Sequence, residues 1–86
     1  IVVGATYPKE LASIRKIIGD MPILIPGIGA QGGDVKATVK AGKNSKNQGM
    51  IIHSSRAIIF ASSDTDFATV ARQKTIELNN EIIKYL

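Results

Sequence analysis

The chain has 86 residues, a net charge of +4, 44% hydrophobic residues and no cysteine. This length holds at most one domain, and the hydrophobic content excludes a disordered chain. Without cysteine there are no disulfides or thiolate metal sites, which fits a reducing cytoplasm, and the apolar runs are too short for a membrane span.

Residues 1–3, Ile-Val-Val, read as a buried strand that leaves through Gly4-Ala5-Thr6. A chain that opens inside such a run, without an initiator Met, reads as a fragment. Pro8 suits the first turn of a helix. Leu11, Ile14, Ile17 and Ile18 then recur at helical spacing, and Gly19 ends the helix. Residues 21–25 form a second strand, bracketed by Pro22 and Pro26. Asp34 is the N-cap of a helix with Val35, Thr38 and Val39 turned inward and Gly42 as its cap. A polar turn over 43–48 leads to a third strand over 49–53. Residues 56–63 are an apolar connection, centred on Ala57-Ile58-Ile59-Phe60-Ala61, a short helix or extended turn. Asp64 or Asp66 caps the last helix, whose inner face is Phe67, Val70, Ala71, Leu78, Ile82 and Leu86.

Three strand–helix units in a row, with near-continuous apolar strands, predict a parallel α/β sheet buried on both faces. Right-handed crossovers then place all C-terminal strand ends on one edge. Thr6, residues 27–34 and residues 54–56 share that edge. Three strands cannot close a barrel. The pattern fits the last three βα units of a (β/α)8 barrel, in which phosphate sites follow strands seven and eight. Residues 1–86 are then a C-terminal piece of one barrel domain. A doubly wound sheet competes, since residues 27–32 match Gly-x-Gly-x-x-Gly. It lacks the acidic residue that should end the next strand, which here runs into His53-Ser54-Ser55.

The chemistry concentrates in Pro26-Gly27-Ile28-Gly29-Ala30-Gln31-Gly32-Gly33-Asp34, between the apolar Ile23-Leu24-Ile25 and a helix. Glycines let backbone approach a ligand, and free N–H groups at a helix start face an anion. A second strand ends in Ser54-Ser55-Arg56, so two neighbouring strand ends can grip one phosphate. Arg56 reads as a surface ion-pair partner or as a phosphate ligand, and its place after an apolar strand and two serines favours phosphate. The lysines are scattered and the four aromatics do not alternate with basic residues, which argues against a nucleic-acid platform. His53 is the only histidine and has no partner ligands, so no metal site is expected. Ser54 and Ser55 have no triad partner.

These residues resemble a family. Residues 24–34 followed by Ile51-Ile52-His53-Ser54-Ser55-Arg56, with Val2-Val3-Gly4-Ala5-Thr6 before them, are similar to the C-terminal part of the longer bacterial orotidine 5′-phosphate decarboxylases. The resemblance implies a (β/α)8 barrel, normally a cytoplasmic homodimer, that converts orotidine monophosphate to uridine monophosphate and CO2 without a cofactor. It implies that Gln31 reaches the substrate phosphate from a closing loop. It gives Arg56 the phosphate itself, helped by the backbone N–H groups of Ser55 and Arg56, and it lays the backbone around Pro26, Gly27, Gly29, Gly32 and Gly33 along the substrate. The family's Asp-x-Lys-x-x-Asp array has no counterpart here. Asp34-Val35-Lys36 continues to Val39 where the second Asp should stand, and it lies at a helix start. The chain therefore reads as the phosphate half of an active site. Another phosphate-binding barrel enzyme and a free-standing nucleotide-binding module are the alternatives.

Overall fold

The computed structural model describes residues 1–29 and 33–86, so Gln31 and Gly32 lie outside the described residues. The elements run α1 (Pro8–Ile18), β1 (Ile23–Pro26), α2 (Val35–Gly42), β2 (Met50–His53), α3 (Arg56–Ile59) and α4 (Phe67–Lys84). β1 and β2 pair in parallel, from Ile23 opposite Met50 to Pro26 opposite His53. The expected first strand is a shorter feature. Residues 1–5 run beside the other edge of β1 and are tied by Leu24 N–H to Ile1 O, Val3 N–H to Leu24 O and Ala5 N–H to Pro26 O. Only Val2 and Leu24 form a bridge.

α1 starts on Pro8 and stops at Gly19, whose φ of +63° suits glycine. Its inner face centres on Leu11, which is fully buried. Ile17 lies about 120° around the helix from Leu11 at 100° per residue, and it is 82% exposed. Arg15 takes the inward place that its neighbour's hydrophobicity suggested. Its Nε donates to Gly42 O at 2.8 Å, Nη1 to Gly19 O at 2.8 Å and Met21 O at 2.6 Å, and Nη2 to Gly49 O at 3.0 Å. One guanidinium thus binds the chain where two helices end and both strands begin.

Asp34 caps α2 as expected, accepting the Ala37 N–H at 3.0 Å. Gly42 is not the cap. It is the last helical residue, buried, and a Cβ there would meet Ile25 Cδ1 at 2.9 Å and Met50 Sδ at 3.0 Å. Its role is to let α2 lie close on the sheet. Asp66 opens α4, but its carboxylate accepts from Ser62 Oγ at 2.6 Å instead of from a helical N–H. Val70, Ala71, Leu78 and Ile82 are half-buried along α4, while Phe67 and Leu86 are exposed.

The core is Ala5, Leu11, Ile23, Ile25, Ile28 and Val39, sealed between the sheet and the helices. Ile23 and Ile25 point into it, and Leu24 and Pro26 point the other way. On that second face Val2, Leu24 and Ile51 stand in one row, because Val2 bridges Leu24 and Leu24 pairs with Ile51. Val2 is 63% exposed and Ile51 is 62% exposed. The sheet is therefore covered on one face, not two, and it is open. Among the described residues no helix is long and apolar enough to cross a membrane.

Candidate anion site

The parallel register sets the site. Pro26 and His53 are partners at the ends of β1 and β2, so both following segments leave the sheet side by side. Pro26, Gly27 and Ile28 from one segment and His53, Ser54, Ser55 and Arg56 from the other enclose a cavity of about 100 Å3. That is the scale of a few waters or one tetrahedral anion. Of the expected site residues, Pro26, Gly27, Ser55 and Arg56 meet around this cavity.

Gly27 and Gly29 have φ of +102° and +84°, which L side chains rarely adopt. These two residues turn the chain sharply off the strand. Gly33 closes the neck of the loop. Its N–H donates to Gly27 O at 3.0 Å, and a Cβ on it would lie 2.5 Å from that oxygen and 2.9 Å from Ala5 Cβ. Gly33 therefore holds backbone against backbone and does not line the cavity. Gly29 lies beside Ser54 and Ala57.

On the other segment, the Ser55 carbonyl accepts from the N–H groups of Ile58 at 3.0 Å and Ile59 at 2.7 Å, which starts α3. The N–H groups of Ser55 and Arg56 precede any helical acceptor and, among the described residues, donate to no backbone carbonyl of a turn or loop. Arg56 is exposed, and His53 stands beside it on the cavity wall. Two contributors escape a reading of the motifs. Ile28 is buried and forms one wall, and Ser54 Oγ donates to Ile28 O at 3.2 Å across the two segments. A polar residue directly after an apolar strand was the only trace of this tie in the sequence.

A second cavity of about 220 Å3 adjoins the first and shares Ile28 and Ser54 with it. Its charged residues are Lys74, Glu77 and Glu81, and Lys74 is already paired with Glu77 at 3.3 Å. The acidic balance there disfavours an anion, whereas the charged residue on the wall of the first cavity is Arg56. Among the described residues no three His, Cys, Asp or Glu side chains gather into a metal site.

No family model matches the chain. Individual relatives do. The chain is 57% identical over all of its 86 residues to the orotidine 5′-phosphate decarboxylase of Janthinobacterium sp. (strain Marseille), of which it covers 32%. Its fold superposes on the Leishmania donovani UMP synthase with a TM-score of 0.72 and 39% identity, over 93% of this chain and 17% of that one. The Leishmania donovani OMP decarboxylase gives a TM-score of 0.70 and 34% identity, over 95% of this chain and 30% of that one. The chain thus spans about a third of the length of the curated relatives it matches. In sequence and in fold, it is homologous to the orotidine 5′-phosphate decarboxylase family across that third.

Proposed function

We propose that this chain is the phosphate-gripping C-terminal part of an orotidine 5′-phosphate decarboxylase, contributing the last three βα units of its (β/α)8 barrel. The observation that carries this reading is the convergence of residues 26–28 and 53–56 on one anion-sized cavity at the ends of two parallel strands. The guanidinium of Arg56 presents a planar fork of donors that matches phosphate oxygens. Backbone N–H groups of Ser55 and Arg56 supply further donors. Gln31, with both a donor and an acceptor on its amide, joins the phosphate from the glycine loop, and Gly27, Gly29 and Gly32 let backbone lie close to the substrate.

The chemical step belongs elsewhere in the whole enzyme. Losing CO2 from the pyrimidine leaves negative charge on a ring carbon, which needs fixed positive charge and a Lys to protonate it. Asp34, the one acidic residue of the glycine segment, is already spent on capping α2. Phosphate binding contributes at a distance, because holding the remote phosphate orients the ring and stabilises the closed site. In this reading the enzyme acts without a cofactor, as a cytoplasmic homodimer, on orotidine monophosphate.

Calorimetric titration of the 86-residue chain with uridine monophosphate tests the proposal. Arg56→Ala should weaken binding about 10- to 100-fold, the worth of a charged hydrogen-bonding partner. The chain alone should show no turnover of orotidine monophosphate. Binding that ignores Arg56→Ala would remove the phosphate assignment, and turnover by the chain alone would overturn the division of labour.

A further inference from the structure

We propose that Ser54 is a positioning residue of the anion site, fastening the first limb of the glycine loop to the strand end that carries Arg56. The inference rests on the phosphate reading above. The neck of the loop is closed by the Gly33 N–H to Gly27 O bond and the bridge between Ile28 and Gly33. Both contacts lie within the segment that follows β1. They hold the loop to its own strand and leave its relation to β2 open. The Ser54 hydroxyl makes the crossing. It donates to the carbonyl of Ile28, 26 residues away, in a partly buried bond of 3.2 Å.

The packing around this bond is close. A Cβ on Gly29 would lie 3.0 Å from Ala57 Cβ and 3.6 Å from Ser54 Oγ, so Gly29 is seated directly on the segment of Ser54 and Arg56. Ile28 is 5% exposed and lines the anion cavity together with Ser54. Among the described residues, one side-chain hydrogen bond joins the loop to the segment that carries Arg56. Ser54 converts two neighbouring segments into one unit, and the loop responds to what Arg56 holds. Ala at this position would leave the Ile28 carbonyl without that donor, whereas Thr keeps the hydroxyl.

The test is amide NMR of the 86-residue chain titrated with inorganic phosphate and then uridine monophosphate. In the unaltered chain the signals of Gly29, Ser55 and Arg56 should all move. In Ser54→Ala the Arg56 signal should still move, the Gly29 response should be lost, and the Kd for uridine monophosphate should rise about three- to tenfold, the net worth of one hydrogen bond. Ser54→Thr should restore both, while Ser54→Val, equal in shape but lacking the hydroxyl, should behave like Ser54→Ala. The Thr and Val pair decides the matter if the Ala variant folds poorly. A Gly29 response and affinity unchanged in Ser54→Ala and Ser54→Val, with binding still weakened about 10- to 100-fold by Arg56→Ala, would overturn the role of Ser54 and leave the phosphate reading standing. No movement of Ser55 or Arg56 with either ligand in the unaltered chain would remove the phosphate reading, and this inference with it.

Discussion

Replacing Arg15 by Met should cost this domain a large share of its stability. Arg15 is 9% exposed, and its four hydrogen bonds of 2.6–3.0 Å all end on carbonyl oxygens. Met keeps an unbranched apolar stem in the same channel, so the change isolates the guanidinium. Each carbonyl left without a partner costs roughly 1–3 kcal/mol if it stays dry. Three of the four bonds are only partly buried, so water can recover some of them. The expected loss is about 3–5 kcal/mol, the range for disrupting a buried charged network. A chain of this length has a total of roughly 4–13 kcal/mol. Arg15→Lys retains the charge but not the fork, and it can satisfy only part of the carbonyl set, so about half the loss should remain. Urea unfolding followed by circular dichroism, with the slope held constant, reads both values. If Arg15→Met lies within about 1 kcal/mol of the parent, the carbonyl cluster is not what holds the strand bases together, and the reasoning fails.

Thr38 gives the opposite sign. Its hydroxyl is fully buried and, among the described residues, has no hydrogen-bond partner, so Thr38→Val should stabilise the fold by about 1 kcal/mol in the same urea assay. Gly33→Ala forces backbone at the loop neck to move, since its Cβ would meet Gly27 O at 2.5 Å and the core Ala5 Cβ at 2.9 Å; the urea midpoint should fall, and binding of uridine monophosphate should fall at least tenfold by calorimetry. Asp20 accepts from Ser45 Oγ at 2.9 Å and from Ser45 N–H at 3.3 Å, and these bonds hold its carboxyl below the ordinary carboxylate range. A lowered folded pKa stabilises above the unfolded value and is lost as the pH falls through the folded one. The stability gap between the parent and Ser45→Ala should therefore be constant from about pH 7 to 5 and narrow below about pH 4, and a gap of equal size at pH 3 would refute the assignment.

The elements with a strong local signal were legible in the sequence. Pro8, Gly19 and Asp34 mark helix ends through φ, glycine freedom and side-chain capping, and all three do so in the structure. Both regular strands fall within two residues of their expected bounds. The site was legible as two motifs, and the parallel register brings them together. What escaped depends on tertiary placement. At 100° per residue Arg15 lies about 40° from Leu11 and Ile17 about 120° from it, so helical phase turns Arg15 inward, and only the tertiary placement of the carbonyls of residues 19, 21, 42 and 49 lets a guanidinium be buried there. Gly42 reads as a cap because glycine often ends helices, yet here its missing side chain serves packing against Ile25 and Met50. Apolar composition made the strands look buried on both faces, but composition does not say whether anything lies over the row of Val2, Leu24 and Ile51.

Arg15 and Arg56, two of the three arginines, show why the candidate anion site suits its end of the sheet. In a parallel strand–helix order every helix runs antiparallel to its strands. Helix C-termini, rich in free carbonyls, therefore gather where the strands begin, and loops rich in free N–H groups gather where the strands end. A cation suits the first edge and an anion the second. Arg15 lies on the carbonyl edge and is matched there by Gly19 O and Gly42 O at the ends of α1 and α2. Arg56 lies on the opposite edge, beside the turns at Gly27 and Gly29 and the first N–H groups of α3, and among the described residues it makes no ion pair. A guanidinium placed among donors is electrostatically unmatched by the protein itself. An anion bound between Arg56 and the two strand ends would satisfy the charge and the backbone donors together. Arg15 needs no such ligand, and that contrast is in keeping with the proposed phosphate site at Arg56.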